Sequence, residues 1–138
     1  MQTFLPYSSF RKTAQSLDWQ RLGKQRSETK QIVMALSNPF YGWANHPAVN
    51  MWRGYEEALI EYGCEICKEW RRRGYQDKQL DWFKDRRWPE LGLVLPPWVG
   101  DKKFHQAHQS NLLRKDPEWY GQYNWKVSAD LPYIWPTP

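Results

Sequence analysis

The sequence predicts an all-α fold, a compact single domain of three main helices with long irregular connections and a C-terminal coil tail. Three observations carry this. Apolar residues recur at helical spacing over two long stretches. Capping and breaking residues bracket those stretches and a third. No segment shows the sustained period-two alternation of a half-buried strand. At 138 residues the chain can bury ~68% of what its unfolded form exposes, so one domain over residues 1–138 is expected.

Ser8 and Ser9 can cap a short helix running to about Leu17. Asp18 is a good N-cap for a second helix from Trp19 to about Leu36. On that helix Leu22, Thr29, Val33 and Leu36 share one stripe. Arg21, Lys24 and Gln31 fall within roughly 60° of Glu28 on another face, whereas Arg26 is swung toward the packing side. Ser37-Asn38-Pro39 ends the helix, and Phe40-Tyr41-Gly42-Trp43 forms an aromatic loop. Asn45 is expected to cap the longest helix, with Pro47 where a missing N–H does no harm. Val49, Trp52, Tyr55, Leu59, Tyr62, Ile66 and Trp70 give it an amphipathic core face. Arg71-Arg72-Arg73-Gly74 closes it, the cations favoured by the dipole and the glycine supplying a left-handed cap. From Gln76 to Gly100 the pattern is poor, and Trp88-Pro89 and Pro96-Pro97-Trp98 imply an irregular connection. Asp101 caps a third long helix from Lys102 to Lys115, stopped by Asp116-Pro117. Glu118 to Trp125 and a coil tail with Tyr133-Ile134-Trp135-Pro136 come after it.

Lys and Arg number 20 against 15 Asp and Glu, a net charge of +5 that suits nucleic acid or an anionic membrane. Ten Trp, eight Tyr and five Phe serve equally as core and as surfaces that stack on bases. No apolar run approaches the ~20 residues that span a bilayer, and no signal segment opens the chain. Two cysteines without an export signal suggest a reducing compartment. A soluble, cytoplasmic monomer is expected.

Cys64-x2-Cys67 and His105-x2-His108 have the spacing of zinc ligand pairs. The cysteines lie within a long helix, however, and the intervening 37 residues match no finger, so buried thiols and helix-surface histidines are expected, with no metal. The same cysteine pair lacks the strand-to-helix context of a redox motif. No Gly-x-Ser-x-Gly and no phosphate-cradling glycine loop occurs. The arginine triplet serves helix-end stabilisation or phosphate contact. His46 is the best placed histidine, as a cap, a core residue or a base. Glu28 is either a solvated acid paired with Lys24 at i,i+4, worth ~0.3–0.5 kcal/mol, or the centre of an anion-handling site.

The layout resembles the bacteriophage endonuclease V type of pyrimidine-dimer DNA glycosylase in three ordered blocks. The first is the N-terminal helix with Leu22 and Glu28, the latter at the family's catalytic glutamate. The second is His46 leading to Trp70-Arg71-Arg72-Arg73-Gly74-Tyr75, similar to the family's His and closing Lys-Arg-Gly-Phe. The third is Pro117-Glu118-Trp119-Tyr120-Gly121-Gln122-Tyr123, similar to Pro-x-Trp-Tyr-x-x-Tyr. The resemblance implies a glycosylase and abasic-site lyase on duplex DNA, without metal or cofactor, in which the N-terminal α-amine attacks C1′ and the imine then undergoes β-elimination. An α-amine titrates at about 7.7–8.0, so much of it is nucleophilic near neutrality, unlike lysine at ~10.4. By position, Met1 supplies the nucleophile and Glu28 the acid. Arg21, Lys24 and Arg26 would bind phosphates, His46 would lie near the site, and Trp119, Tyr120 and Tyr123 would contact the strand.

Two positions depart from the pattern. Ser27 stands where the family has an arginine before the glutamate. Gln2 stands where the family exposes the amine of a small residue after loss of Met. That leaves three routes: attack by the Met1 amine, attack by Lys24, or no lyase step. A non-cleaving protein of the same fold that reads damaged or bent DNA is the alternative.

Overall fold

The computed structural model describes residues 1–87 and 92–137. Seven α-helices run in order among them: α1 (Phe10–Ser16), α2 (Trp19–Ser37), α3 (Pro47–Asn50), α4 (Glu56–Arg72), α5 (Leu80–Lys84), α6 (Lys102–Lys115) and α7 (Pro117–Tyr120), with a 3-10 turn at Gly121–Tyr123. No strand forms among the described residues, so the protein is all-α. Three helices dominate, as expected, and α4 is central, packing against α1, α2 and α5.

Local chemistry sets most boundaries. Ser9 caps α1 by accepting Lys12 N–H, Asp18 caps α2 by accepting Arg21 N–H, and Asp101 caps α6 by accepting Lys103 N–H. The expected continuous helix from Asn45 is instead two. His46, not Asn45, caps α3 through Nδ1, which accepts Ala48 N–H at 3.0 Å. The chain then turns through residues 51–55, where Gly54 takes a φ of +90° that other residues avoid. Trp52 stays fully buried despite the break, which is why the helical spacing ran through it. Gly74 has a φ of +94° after α4, as a left-handed cap requires.

The connection expected to be irregular contains α5, because the Asp77 carboxylate accepts Leu80 N–H at 2.8 Å and Leu80 and Phe83 are buried. Trp88-Pro89 lies outside the described residues. Asp116 accepts Trp119 N–H and starts α7, extending helical structure into a stretch that carried no helical pattern.

The first residues of the chain occupy the core without belonging to any helix. Gln2, Thr3, Phe4 and Leu5 are all buried. Their backbone groups have no ladder to join, so side chains satisfy them. Gln25 Nε2 donates to Gln2 O at 2.8 Å, and Gln25 Oε1 accepts Phe4 N–H at 3.2 Å. The Tyr62 hydroxyl lies 2.7 Å from Phe4 O and 2.8 Å from Gln25 Oε1. Trp52 Nε1 donates to Thr3 Oγ1 at 3.0 Å. On the α6 side, His108 Nδ1 accepts Leu5 N–H at 3.1 Å, and Gln109 Nε2 donates to Pro6 O at 2.8 Å.

His105 completes the clamp. Its Nε2 accepts Gly100 N–H at 2.8 Å, so its proton is on Nδ1, which donates to Leu5 O at 2.8 Å. His108 is the opposite tautomer, since its Nδ1 is an acceptor. Both rings must be neutral to do this. Burial drags His108 down to about 3, and burial lowers His105 as well.

Below pH ~6.5 the unfolded chain binds protons that the folded histidines refuse. Stability is therefore full above that value and falls on acidification toward pH 3, where folded His108 itself titrates. Urea unfolding at about pH 7, 6 and 5, above the carboxylate range, should lose up to ~1.4 kcal/mol per pH unit from His108, with His105 adding in the same direction. His108→Gln should be less stable overall but show a shallower slope. An unchanged slope would show that His108 does not carry the effect.

Candidate functional site

A cavity of about 670 Å³ opens where the N-terminus meets α2, within the size range of sites that hold small molecules. Met1 and Gln2 form one side. Trp19, Arg21, Gly23, Lys24 and Glu28 of α2 form the floor. Trp70 from the end of α4, Lys115 from the end of α6, and Tyr133 and Trp135 from the tail complete it.

Glu28 is fixed from inside the protein. Its Oε2 accepts Gln2 N–H at 3.0 Å and lies 3.5 Å from Gln25 Nε2. No ion pair with Lys24 forms among the described residues, so the i,i+4 surface pair is not what the side chain does. The Met1 amine is three covalent bonds from the Gln2 amide nitrogen, which keeps it within roughly 7 Å of that oxygen. Gln25 is the pivot: one amide group holds Gln2 O, Phe4 N–H and the Tyr62 hydroxyl while touching Glu28. Burial raises the Tyr62 phenol well above its ordinary range, and the Glu28 charge adds to that, so it stays a neutral hydrogen-bonding group.

Trp70 forms a wall because α2 can approach it. A Cβ on Gly23 would lie 3.0 Å from the Trp70 ring. The indole stacks on Tyr75 with centroids 4.2 Å apart and donates Nε1–H to Gln76 O at 3.0 Å. Arg26 lies over the same ring, 5.0 Å from its centroid.

The structure gathers Met1, Glu28, Arg21 and Lys24 around the cavity. Arg21 also pairs with Asp18 at 3.2 Å, while Lys24 and Lys115 make no ion pair among the described residues. His46 stands at the edge, its ring 6.1 Å from Trp135 and 5.7 Å from Trp43. Its pKa is lowered, first by burial and then by the N-terminal amine, with Glu28 opposing.

The other nominated residues lie elsewhere. Arg26 points away from the cavity and pairs at 2.8 Å with Asp77. Burial works against the Asp77 charge, but Leu80 N–H and Arg26 hold its carboxyl below the usual range. Tyr120 is fully buried, with its hydroxyl accepting Asp18 N–H at 3.1 Å and donating to Asp18 Oδ1. Trp119 Nε1 and the Tyr123 hydroxyl both donate to Ser16 O, at 2.8 and 3.0 Å. These three rings secure α7 and the 3-10 turn to the α1–α2 junction.

Trp70, Lys115, Tyr133 and Trp135 were not nominated from sequence, and Gln25 stood out only as one of the polar side chains near Glu28. Gln25 carried a signal, an amide buried beside Leu22 and Thr29 on a packing stripe, where a polar group needs partners. The cysteines are free and buried. Burial pushes the Cys64 thiol up to about 11 and Cys67 higher still, so neither is a thiolate near neutrality. No group of three or more His, Cys, Asp or Glu among the described residues could hold a metal ion, and no described helix is long and apolar enough to cross a membrane.

Residues 1–83 match the model of a family described as pyrimidine dimer DNA glycosylase. No curated protein and no solved structure matches the chain. The matched span includes Met1, Glu28 and His46, while Lys115, Tyr133 and Trp135 lie beyond it.

Gln25→Ala should release the N-terminus, because Phe4 N–H and Gln2 C=O lose buried partners at about 1–3 kcal/mol for each stranded group. Hydrogen exchange at Phe4 should accelerate together with the drop in unfolding free energy. An unchanged Phe4 exchange rate would show that Gln25 does not hold the segment.

Proposed function

Because the chain belongs to the pyrimidine dimer DNA glycosylase family, we propose that it excises a damaged pyrimidine from duplex DNA and then nicks the abasic strand, with the Met1 amine as nucleophile and Glu28 as the central acid. The observation that carries this reading is the 3.0 Å bond from Gln2 N–H to Glu28 Oε2, which ties the residue next to the Met1 amine to an acid that lines the cavity. Lys24 is the competing nucleophile, since it lines the same cavity.

In this reading the unprotonated amine forms a bond to C1′ as the glycosidic bond breaks and the base departs. The Glu28 carboxylate stabilises positive charge developing on the sugar. The nitrogen then loses a proton, and its lone pair opens the sugar ring: C1′=N forms as the C1′–O4′ bond breaks and O4′ takes up a proton, giving the imine in its protonated form. Removal of a C2′ proton, with Glu28 as the base, then expels the 3′ phosphate by β-elimination. The chain needs little rearrangement for this, because the backbone on both sides of Gln2 is already hydrogen-bonded. Pre-fixed geometry of this kind removes entropy from the barrier.

Arg21, Lys24 and Lys115 border the cavity and are suited to phosphates, a role that would make binding strongly salt-dependent. Arg26, Tyr120 and Tyr123 support the site in this reading, by holding Asp77, Asp18 and Ser16. His46, neutral near pH 7, suits hydrogen bonding at the rim better than phosphate binding.

Borohydride added during reaction in EDTA should trap a covalent protein–DNA adduct, and digestion should locate it on the peptide ending at Arg11. An adduct on Lys24 would overturn the assignment of the nucleophile. Glu28→Gln should slow strand cleavage by at least a hundredfold, within the ~10²–10⁴ span of acid–base catalysis, and should keep affinity for dimer-bearing duplex. Equal cleavage by the variant would point to a binding protein contaminated by another nuclease.

A further inference from the structure

The tail brings two aromatic rings to the cavity from the far end of the chain. Three hydrogen bonds from α6 steer it: Arg114 donates to Ala129 O at 2.7 Å, Leu131 N–H donates to Ser110 Oγ at 2.9 Å, and Asn111 Nδ2 donates to Leu131 O at 3.2 Å. Pro132 and Pro136 restrict the backbone beyond Leu131, so little entropy is lost in ordering it. Tyr133 then turns inward, its ring 5.7 Å from His108, and Ile134 turns out to solvent. Trp135 turns back, with its centroid 5.6 Å from Tyr133 and 6.1 Å from His46.

Trp135 remains 36% exposed on the wall of the cavity that holds Met1 and Glu28. Its indole N–H has no hydrogen-bond partner among the described residues. The part of the indole left open to the cavity can be covered further only by a ligand that brings a flat apolar surface. The cavity offers cations for phosphates in Arg21, Lys24 and Lys115, and an acid for the sugar in Glu28. What remains of a nucleotide to be recognised is the face of its base.

We infer that Trp135, backed by Tyr133, is the surface on which a base of the damaged strand stacks, so that the tail favours base-bearing lesions over abasic sites. This rests on the reading of the cavity as a glycosylase centre. Every base presents a π-face to an aromatic platform. The platform therefore favours a strand with a base in the cavity over one without, whatever the lesion. An abasic nucleotide carries no base to stack and gains correspondingly less.

The test compares single-turnover cleavage of a cyclobutane-dimer duplex and an abasic duplex by wild type, Trp135→Ala and Trp135→Phe. Trp135→Ala should lower the ratio of dimer to abasic rates about ten- to hundredfold, and Trp135→Phe should restore most of it. A second arm measures binding in the Glu28→Gln background, with a dimer duplex and a duplex bearing a tetrahydrofuran abasic analogue, where the affinity ratio should move the same way. Equal losses on both substrates, or no loss, would overturn the inference. Faster cleavage of both would show that the tail is a plug. If wild type binds the dimer duplex but cuts neither substrate, the proposed function fails while the affinity ratio still decides the role of Trp135.

Discussion

The whole arrangement depends on one constraint: a buried backbone segment with no secondary structure must find a partner for each of its polar groups. Residues 2–6 thread among α2, α4 and α6, and leaving even two of their N–H or C=O groups unpaired would cost about 2–6 kcal/mol, a large fraction of a domain's net stability. The residues that meet this demand are Gln25, Glu28, Tyr62, His105, His108 and Gln109. Together they fix residues 2–6, which belong to no helix, against the interior. The acid at the cavity floor is one of these partners, so the bond that holds the fold also arranges the site.

The charge of the protein is distributed to the same end. Several arginines that could pass for a nucleic-acid stripe make ion pairs within the protein. Arg26 and Arg71 share Asp77, while Arg72 and Arg73 share Glu69. Arg73 also reaches the carbonyls of Ala14 and Gln15, joining the end of α4 to α1. Asp77 has a fully covered side chain, and a buried carboxylate is tolerable only when paired and hydrogen-bonded in this way. Around the cavity, by contrast, Lys24 and Lys115 make no ion pair with the described residues. A surplus of +5 thus matters less than where cations are left unneutralised.

Much of this was legible in the sequence where the cause is local. The caps Ser9, Asp18 and Asp101 sit within a few residues of the N–H groups they accept, so α1, α2 and α6 could be placed from the order of residues alone. The break before α4 was hidden because burial continued through Trp52 while the backbone turned at Gly54. Spacing reports which side chains face inward, not whether the hydrogen-bond ladder is intact. Glu28 stood out as an acid among cations, but its bond to Gln2 N–H spans 26 residues. The places of Trp135 and Tyr133 depend on α6 turning the chain back, and no local pattern announces that. The aromatic segment at Trp119 to Tyr123 was visible as a motif, but its bonds to Ser16 and Asp18 span more than 100 residues and no local pattern announces them.

The grip on the first residues has a consequence for how the protein comes into being. Leu5 is held by His108 and Pro6 by Gln109, contacts that each span 103 residues. Gln25 and Tyr62 can hold Gln2 and Phe4 early, but Leu5 and Pro6 lack His108 and Gln109 until α6 has been made. Contacts of such separation carry a loop-closure cost that is recovered late and tend to slow folding. Over that interval Leu5 is less fully covered, an apolar side chain within reach of chaperones or of other nascent chains. A truncated product lacking α6 would leave Leu5 N–H and Pro6 C=O without the side chains that hold them.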